Sequence, residues 1–192
     1  MGDIVKTGLR LFMITAVAAF ALGLTNAATA SRIEEQAIIA RIEAKSQVLP
    51  QALDFQKLDI KEYNDLHPMV LEVHEGIANG QSEGYTFRVL SRGFAQMELY
   101  VGIDASGRIS GVNVVYQRET PGLGTRATAT AYTGQFEGKQ TQSIFDLVKA
   151  KPAVNEIQAI SGATISSAAV VNAVNAAIEF YALLIKEGEH NR

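Results

Sequence analysis

Cysteine is absent from this 192-residue chain. That excludes disulfides, thiolate-held zinc, iron–sulfur ligation and cysteine nucleophiles together. Any redox chemistry must therefore use a non-thiol cofactor. Histidine is scarce: His67, His74 and His190 are scattered, with no helix-spaced pair and no clustered carboxylate, which argues against a metal centre. Positive charge is not in excess either. The formal net charge is −3, whereas nucleic-acid binding needs a concentrated basic face. The serine-hydrolase signature S-x-x-K is missing as well.

One long stretch lacks charge altogether. Residues 11–30 would span about 30 Å as a helix, enough for a bilayer core. Lys6 and Arg10 precede it and outnumber Asp3, so the amino terminus is expected to stay in the cytoplasm, with the bulk of the chain outside. Ala28, Thr29 and Ala30 form an A-x-A pattern that would suit a signal-peptide cleavage ahead of Ser31. The apolar run is longer than an ordinary signal core, and an uncut anchor is the preferred reading. Thr15, Ala19, Gly23 and Ala27 recur every four residues, a stripe that would let another membrane helix approach. The expected division is a cytoplasmic terminus (1–10), a transmembrane anchor (11–30), a helical stalk and connection (31–68) and an extracytoplasmic domain (69–192). Such a domain is large enough for a core of its own.

From Ser31 to Val48 the pattern is helical, with Ile33, Ala37, Ile38 and Ile42 on one stripe before Pro50 ends the run. Residues 51–68 read as a polar, irregular connection. From Met69 the period changes to two. Val70–Ile77 and Gly84–Ser91 can pair across a turn. Met97, Leu99, Val101 and Ile103 then alternate, residues 104–107 turn, and Ile109–Gln117 returns with Val112, Val114 and Tyr116 on one side, an antiparallel meander. A short helix is expected over Gln142–Ala150, with Ile144, Phe145 and Val148 facing inward, and a strand over Val154–Ile160. Residues 165–186 carry Val171, Val174, Ile178, Tyr181 and Ile185 at alternating steps of three and four, one apolar helix face. Lys186 and Gly188 are placed as a favourable charge and a left-handed cap would be. The sum is an α+β fold: an amino-terminal membrane helix, then an antiparallel sheet with flanking helices.

Two stretches stand out from this frame. In RETPGLGTRA (118–127), Pro121–Gly122 favours a tight turn, and Gly122 and Gly124 permit close backbone approach. Gly122–Ala127 also matches G-x-G-x-x-A, but no long helix follows and the preceding strands read as hairpins, so the dinucleotide fingerprint is rejected. In SGATIS (161–166), Ser161 can cap the following helix, Gly162 and Ala163 leave room, and Thr164 brings a hydroxyl to the helix start. Unpaired N–H groups there stabilise a phosphate without any arginine.

Together, ETPGLGT (119–125) and SGATISS (161–167) closely resemble the FMN-binding domain family. The particular likeness is to its G-subunit branch in Rnf-type ion-translocating electron-transport complexes, with the C subunits of sodium-translocating NADH:quinone reductase as near relatives. VGIDASGRISGV (101–112) and the single amino-terminal anchor extend the likeness over most of the chain.

The resemblance implies a covalent FMN, its phosphate esterified to the Thr164 hydroxyl by a separate flavin transferase. Glu119, Thr120, Gly122, Leu123 and Gly124 would lie near the flavin, while Ser161, Gly162, Ala163, Ile165 and Ser166 would shape the turn and hold the phosphate. Ser161, Ser166 and Ser167 are candidate caps or phosphate donors. No catalytic acid or base and no metal are implied. The implied function is electron transfer within a ferredoxin:NAD oxidoreductase complex of the cytoplasmic membrane. Its other membrane and redox subunits would be the partners. The sequence departs from the family pattern at Gln158, where the transferase recognition motif usually has an acid, and at GFAQ (93–96), where relatives are richer in glycine. A competing reading without flavin is a non-enzymatic extracytoplasmic binding or assembly module, in which SGAT is a cap and PGLG a turn.

Overall fold

The computed structural model describes residues 2–63 and 65–190, the side chains of 187–190 excepted. The chain forms two compact units, one up to Arg41 and one from Ile42 onward. Helix α1 runs Gly2–Val48. Within its uncharged stretch, large apolar side chains such as Phe12, Val17 and Phe20 are exposed. Leaving so much apolar surface unpacked in water would be costly. The expected stalk stripe is also open: Ile33, Ile38 and Ile42 are exposed, and burial begins only at Ala44 and Val48.

The second unit is built on a five-stranded antiparallel sheet in the order β1–β2–β3–β4–β5. Its strands are β1 (Asp54–Lys57), β2 (Val70–Ala78), β3 (Gln81–Arg92), β4 (Gln96–Asp104) and β5 (Ile109–Gln117). The meander matches the period-two reading. Strand β1 departs from the irregular connection expected there, because four residues with one half-buried side chain carry almost no alternation. Its backbone pairing with β2 places it in the sheet. Bulges lie between Gly76 and Ile77 and between Gly102 and Ile103.

The two faces of this sheet differ. On one, Val73, Phe87, Val89, Leu99, Val101, Ile103 and Ile109 are wholly buried. They pack with helix α3 (Thr164–His190) into the main core. Phe180 stands edge-on to Tyr63, His67 and Phe87. The helix buries more than the expected stripe. Val170, Ala173, Ala177 and Phe180 join Val171, Val174 and Ile178, while Ile185 stays 39% exposed. The expected Gly188 cap is corrected, because the helix continues through Gly188 to His190.

The opposite face carries His74, Thr86, Arg88, Glu98 and Tyr100, and residues 44–49 lie on it. Gly102 leaves the gap that seats them: a Cβ there would overlap the Val48 carbonyl oxygen. The Ser110 hydroxyl donates to that carbonyl, and the Asn113 amide donates to Gln47.

Between β5 and α3 come a 3-10 turn at Gly124–Thr128, the short helix α2 (Thr130–Thr133), β6 (Asp146–Val148) and β7 (Glu156–Gln158). The helix expected over 142–150 is corrected: the segment is extended, and β6 pairs in parallel with β7. The Asn175 side chain accounts for this. It accepts from the Phe145 N–H at 2.8 Å and donates to the Phe145 carbonyl at 2.9 Å, taking both groups that a helix would use. Phe145 is buried as expected, against Phe136, but Ile144 points outward and is 50% exposed. Strand β7 thus belongs to a separate two-stranded sheet.

Candidate functional site

Three turns meet at the amino end of α3. The first leaves β5: the Glu119 N–H donates to the Gln117 side chain at 2.7 Å, and Glu119 itself is buried. The chain then reverses at Gly122, whose φ of +76° is left-handed and whose N–H donates to Thr125 Oγ1 at 3.0 Å. The second turn follows β7. Gly162 has φ +82°, the Ala163 N–H donates to the Ile160 carbonyl at 2.9 Å, and α3 begins at Thr164. The third joins β3 to β4 through Gly93, Phe94 and Ala95, closed by the Gly93 N–H on the Ala95 carbonyl at 3.0 Å.

The Glu119 carboxylate ties the three together. Oε1 accepts the Ala95 N–H at 3.0 Å, and Oε2 accepts the Ser166 hydroxyl at 2.7 Å, with Ser166 wholly buried. Both oxygens of this acid are therefore engaged inside the protein. A charge-assisted bond of this kind is stronger than a neutral one. Gly124 and Gly93 make the arrangement possible, since a Cβ on either would run into the Glu119 carboxylate.

The expected residues thus divide into a buried support and an exposed surface. Glu119, Gly124, Ala163 and Ser166 are buried, while Thr120, Gly122, Leu123, Ser161, Gly162, Thr164 and Ile165 are exposed. Leu123 lies against Gly162, 3.4 Å from where its Cβ would be, so the two motifs touch at the surface as well as behind it. The expected cap at Ser161 is not formed: its side chain makes no hydrogen bond among the described residues, and Ser167 takes the supporting part. The Ser167 hydroxyl accepts the Ile160 N–H at 3.1 Å, and its carbonyl accepts the Tyr132 hydroxyl at 3.2 Å. Burial pushes the Tyr132 hydroxyl up to about 12, so it remains a donor.

At the mouth of α3 the N–H groups of Thr164, Ile165 and Ser166 have no acceptor among the described residues, and the Thr164 hydroxyl is exposed beside them. Free donors at the positive end of a helix, next to an exposed hydroxyl, suit a phosphate ester. Among the described residues no three acids and histidines gather around a metal-sized space.

Several participants escape the sequence reading. The Gly93–Ala95 loop is marked there only by its departure from the family. Tyr132 carries no periodic signal. Gln135 pairs with the backbone of Gln158, accepting its N–H at 2.9 Å and donating to its carbonyl at 3.3 Å, across 23 residues of chain.

Comparison with known proteins bears on this arrangement directly. The family model of the FMN-binding domain matches residues 93–179, from the Gly93 loop into α3. The chain is 40% identical to the G subunit of the Na(+)-translocating ferredoxin:NAD(+) oxidoreductase complex of Acetobacterium woodii, over 94% of this chain and 93% of that one. It is 33% identical to the G subunit of the ion-translocating oxidoreductase complex of Methanosarcina acetivorans, over 93% and 94%. The crystal structure of NqrC from Shewanella oneidensis superposes with a TM-score of 0.50 at 24% identity, over 54% of this chain and 53% of that one, a likeness of fold. On the strength of the two full-length relatives, the chain belongs to the family of G subunits of ion-translocating oxidoreductase complexes, with the FMN-binding domain as its core.

Proposed function

We propose that the protein is a membrane-anchored flavoprotein subunit that carries FMN covalently on Thr164 and passes electrons within an Rnf-type ferredoxin:NAD oxidoreductase complex coupled to ion movement. The observation that carries the attachment is the exposed Thr164 hydroxyl beside three N–H groups without acceptors, where two motifs far apart in sequence meet. Family membership supports the wider function.

A bound flavin supplies the capacity to accept and release electrons, which no side chain of this cysteine-free chain offers. The chain's own work is positional. Thr164 Oγ1 provides the ester oxygen, and the N–H groups of Thr164, Ile165 and Ser166 face the remaining phosphate charge. Glu119 and Ser166 hold the helix start against the 120–124 turn, fixing the two halves of the site. Leu123 and Ile165, about half exposed, offer apolar contact at its edge. A covalent link prevents loss of the cofactor outside the cell. The apolar stretch 11–30 of α1 supports a single membrane crossing with the domain beyond it extracytoplasmic, and Lys6 and Arg10 favour a cytoplasmic amino terminus.

The test is flavin fluorescence in a denaturing gel of the full chain co-expressed with a flavin transferase. Fluorescence is expected to migrate with wild type and with Thr164→Ser, and to be lost in Thr164→Ala. Fluorescence retained in Thr164→Ala would place the link elsewhere.

A further inference from the structure

A cavity of about 340 Å³ opens beside the Thr164 turn, between the segment that follows the glycine turn and the end of β7. It is lined by Arg126, Ala131, Tyr132, Gln135, Gln158 and Ile160, among others. Its polar groups differ in their commitments. The Gln135 amide is spent on the Gln158 backbone, and the Tyr132 hydroxyl is spent on Ser167. The Arg126 guanidinium is exposed and makes no ion pair or hydrogen bond among the described residues, and neither does the Gln158 amide. The cavity therefore has small apolar walls at Ala129, Ala131 and Ala159, an aromatic side at Tyr132, and two free polar arms, one cationic.

That composition suits a flat heteroaromatic group with hydrogen-bond acceptors along one edge and a charge that becomes negative in one redox state. We infer that this cavity receives the carbonyl-bearing edge of the flavin ring tethered at Thr164, with Arg126 as the positioning and potential-setting cation. The inference rests on the attachment at Thr164 proposed above. Ala159 and Ile160 line the cavity, and Ile160 is bonded to both Ala163 and Ser167, so the cavity wall and the tether belong to one braced turn. Reduction places negative charge on the pyrimidine edge of a flavin. A guanidinium there stabilises the reduced form more than the neutral oxidised form and raises the midpoint potential. A second groove of about 740 Å³, on which Arg92, Ser91 and Asn172 open, provides the comparison site.

The experiment is a spectroelectrochemical titration of the full-length, flavinylated chain in detergent, comparing wild type with Arg126→Gln, Arg126→Lys and Arg92→Gln. Arg126→Gln is expected to lose at least tenfold in preference for the reduced state, about 30 mV for a two-electron couple. Arg126→Lys is expected to retain most of that preference and Arg92→Gln all of it. Ala131→Leu, which narrows the cavity from its exposed side, is expected to leave the flavin attached and increase its quenching by iodide. An unchanged potential in Arg126→Gln, or the drop appearing in Arg92→Gln instead, would overturn the assignment. So would unchanged quenching in Ala131→Leu. Wild type without covalent flavin would overturn the attachment reading, and this inference with it. A flavinylated wild type with an indifferent Arg126 overturns this inference alone.

Discussion

Glu119 illustrates how a residue can support the candidate site without facing its exposed surface. Its carboxylate is buried, and its two oxygens serve Ala95, on the β3–β4 turn, and Ser166, in the first turn of α3. Glu119→Ala would leave a buried hydroxyl and a half-buried N–H without partners. The expected loss is about 1–3 kcal/mol of stability, read from urea unfolding followed by circular dichroism. Because Glu119 and Ser166 share one bond, Glu119→Ala and Ser166→Ala should not add: the double variant is expected to be less destabilised than the sum of the two. Additive losses would mean that the bond contributes little. The motif ETPGLGT is visible in the sequence, but the division of labour inside it is not. Nothing in the spelling of the motif says that Glu119 turns inward while Thr120 and Leu123 turn outward. That is decided by Gln117, which holds the Glu119 N–H, and by the room that Gly93 leaves.

At the level of elements, the long strands and the final helix are legible because each sets large apolar side chains at a regular period toward the main core. β3, β4 and α3 are the clearest cases. The 142–150 segment reads as a helix because Ile144, Phe145 and Val148 also fit a helical stripe. The deciding partner, Asn175, lies 30 residues away from Phe145. Strand β1 and the pairing of β6 with β7 likewise depend on neighbours that local pattern does not reveal. The same is true of the seat for residues 44–49. Gly102 reads as an interruption in a strand, yet the missing Cβ is what admits the Val48 carbonyl. Gly102→Ala is expected to unseat this segment at a cost of about 1–3 kcal/mol, as overpacking does. Limited proteolysis should then cut faster near residues 44–53, with the β3–β4 core still resistant. An unchanged cleavage pattern would contradict the proposed seat.

The whole molecule has a predictable response to acid. Burial is the main cause that brings His74 down to about 4 from its ordinary 6.5, with Lys45 adding to it, and Nδ1 has no hydrogen-bond partner. The unfolded chain therefore takes up a proton that the folded chain resists. Stability should be level above about pH 6.5, fall between pH 6.5 and 4, and lose no more from this group below that. The total is up to about 3 kcal/mol. Glu72 titrates below its ordinary 4.5, so pH 5–6 isolates the histidine from it. His74→Phe is expected to flatten that interval in urea titrations. A slope that survives the substitution would assign it to other groups.

The function proposed for the whole molecule hangs on the bond proposed at Thr164. The most direct measurement is peptide mass spectrometry of the full chain co-expressed with a flavin transferase. The peptide containing Ser161–Ser167 is expected to carry the mass of FMN less one water, with fragmentation placing it on Thr164. An unmodified Thr164 in a chain exposed to an active transferase, or the added mass on Ser161, Ser166 or Ser167, would contradict the account.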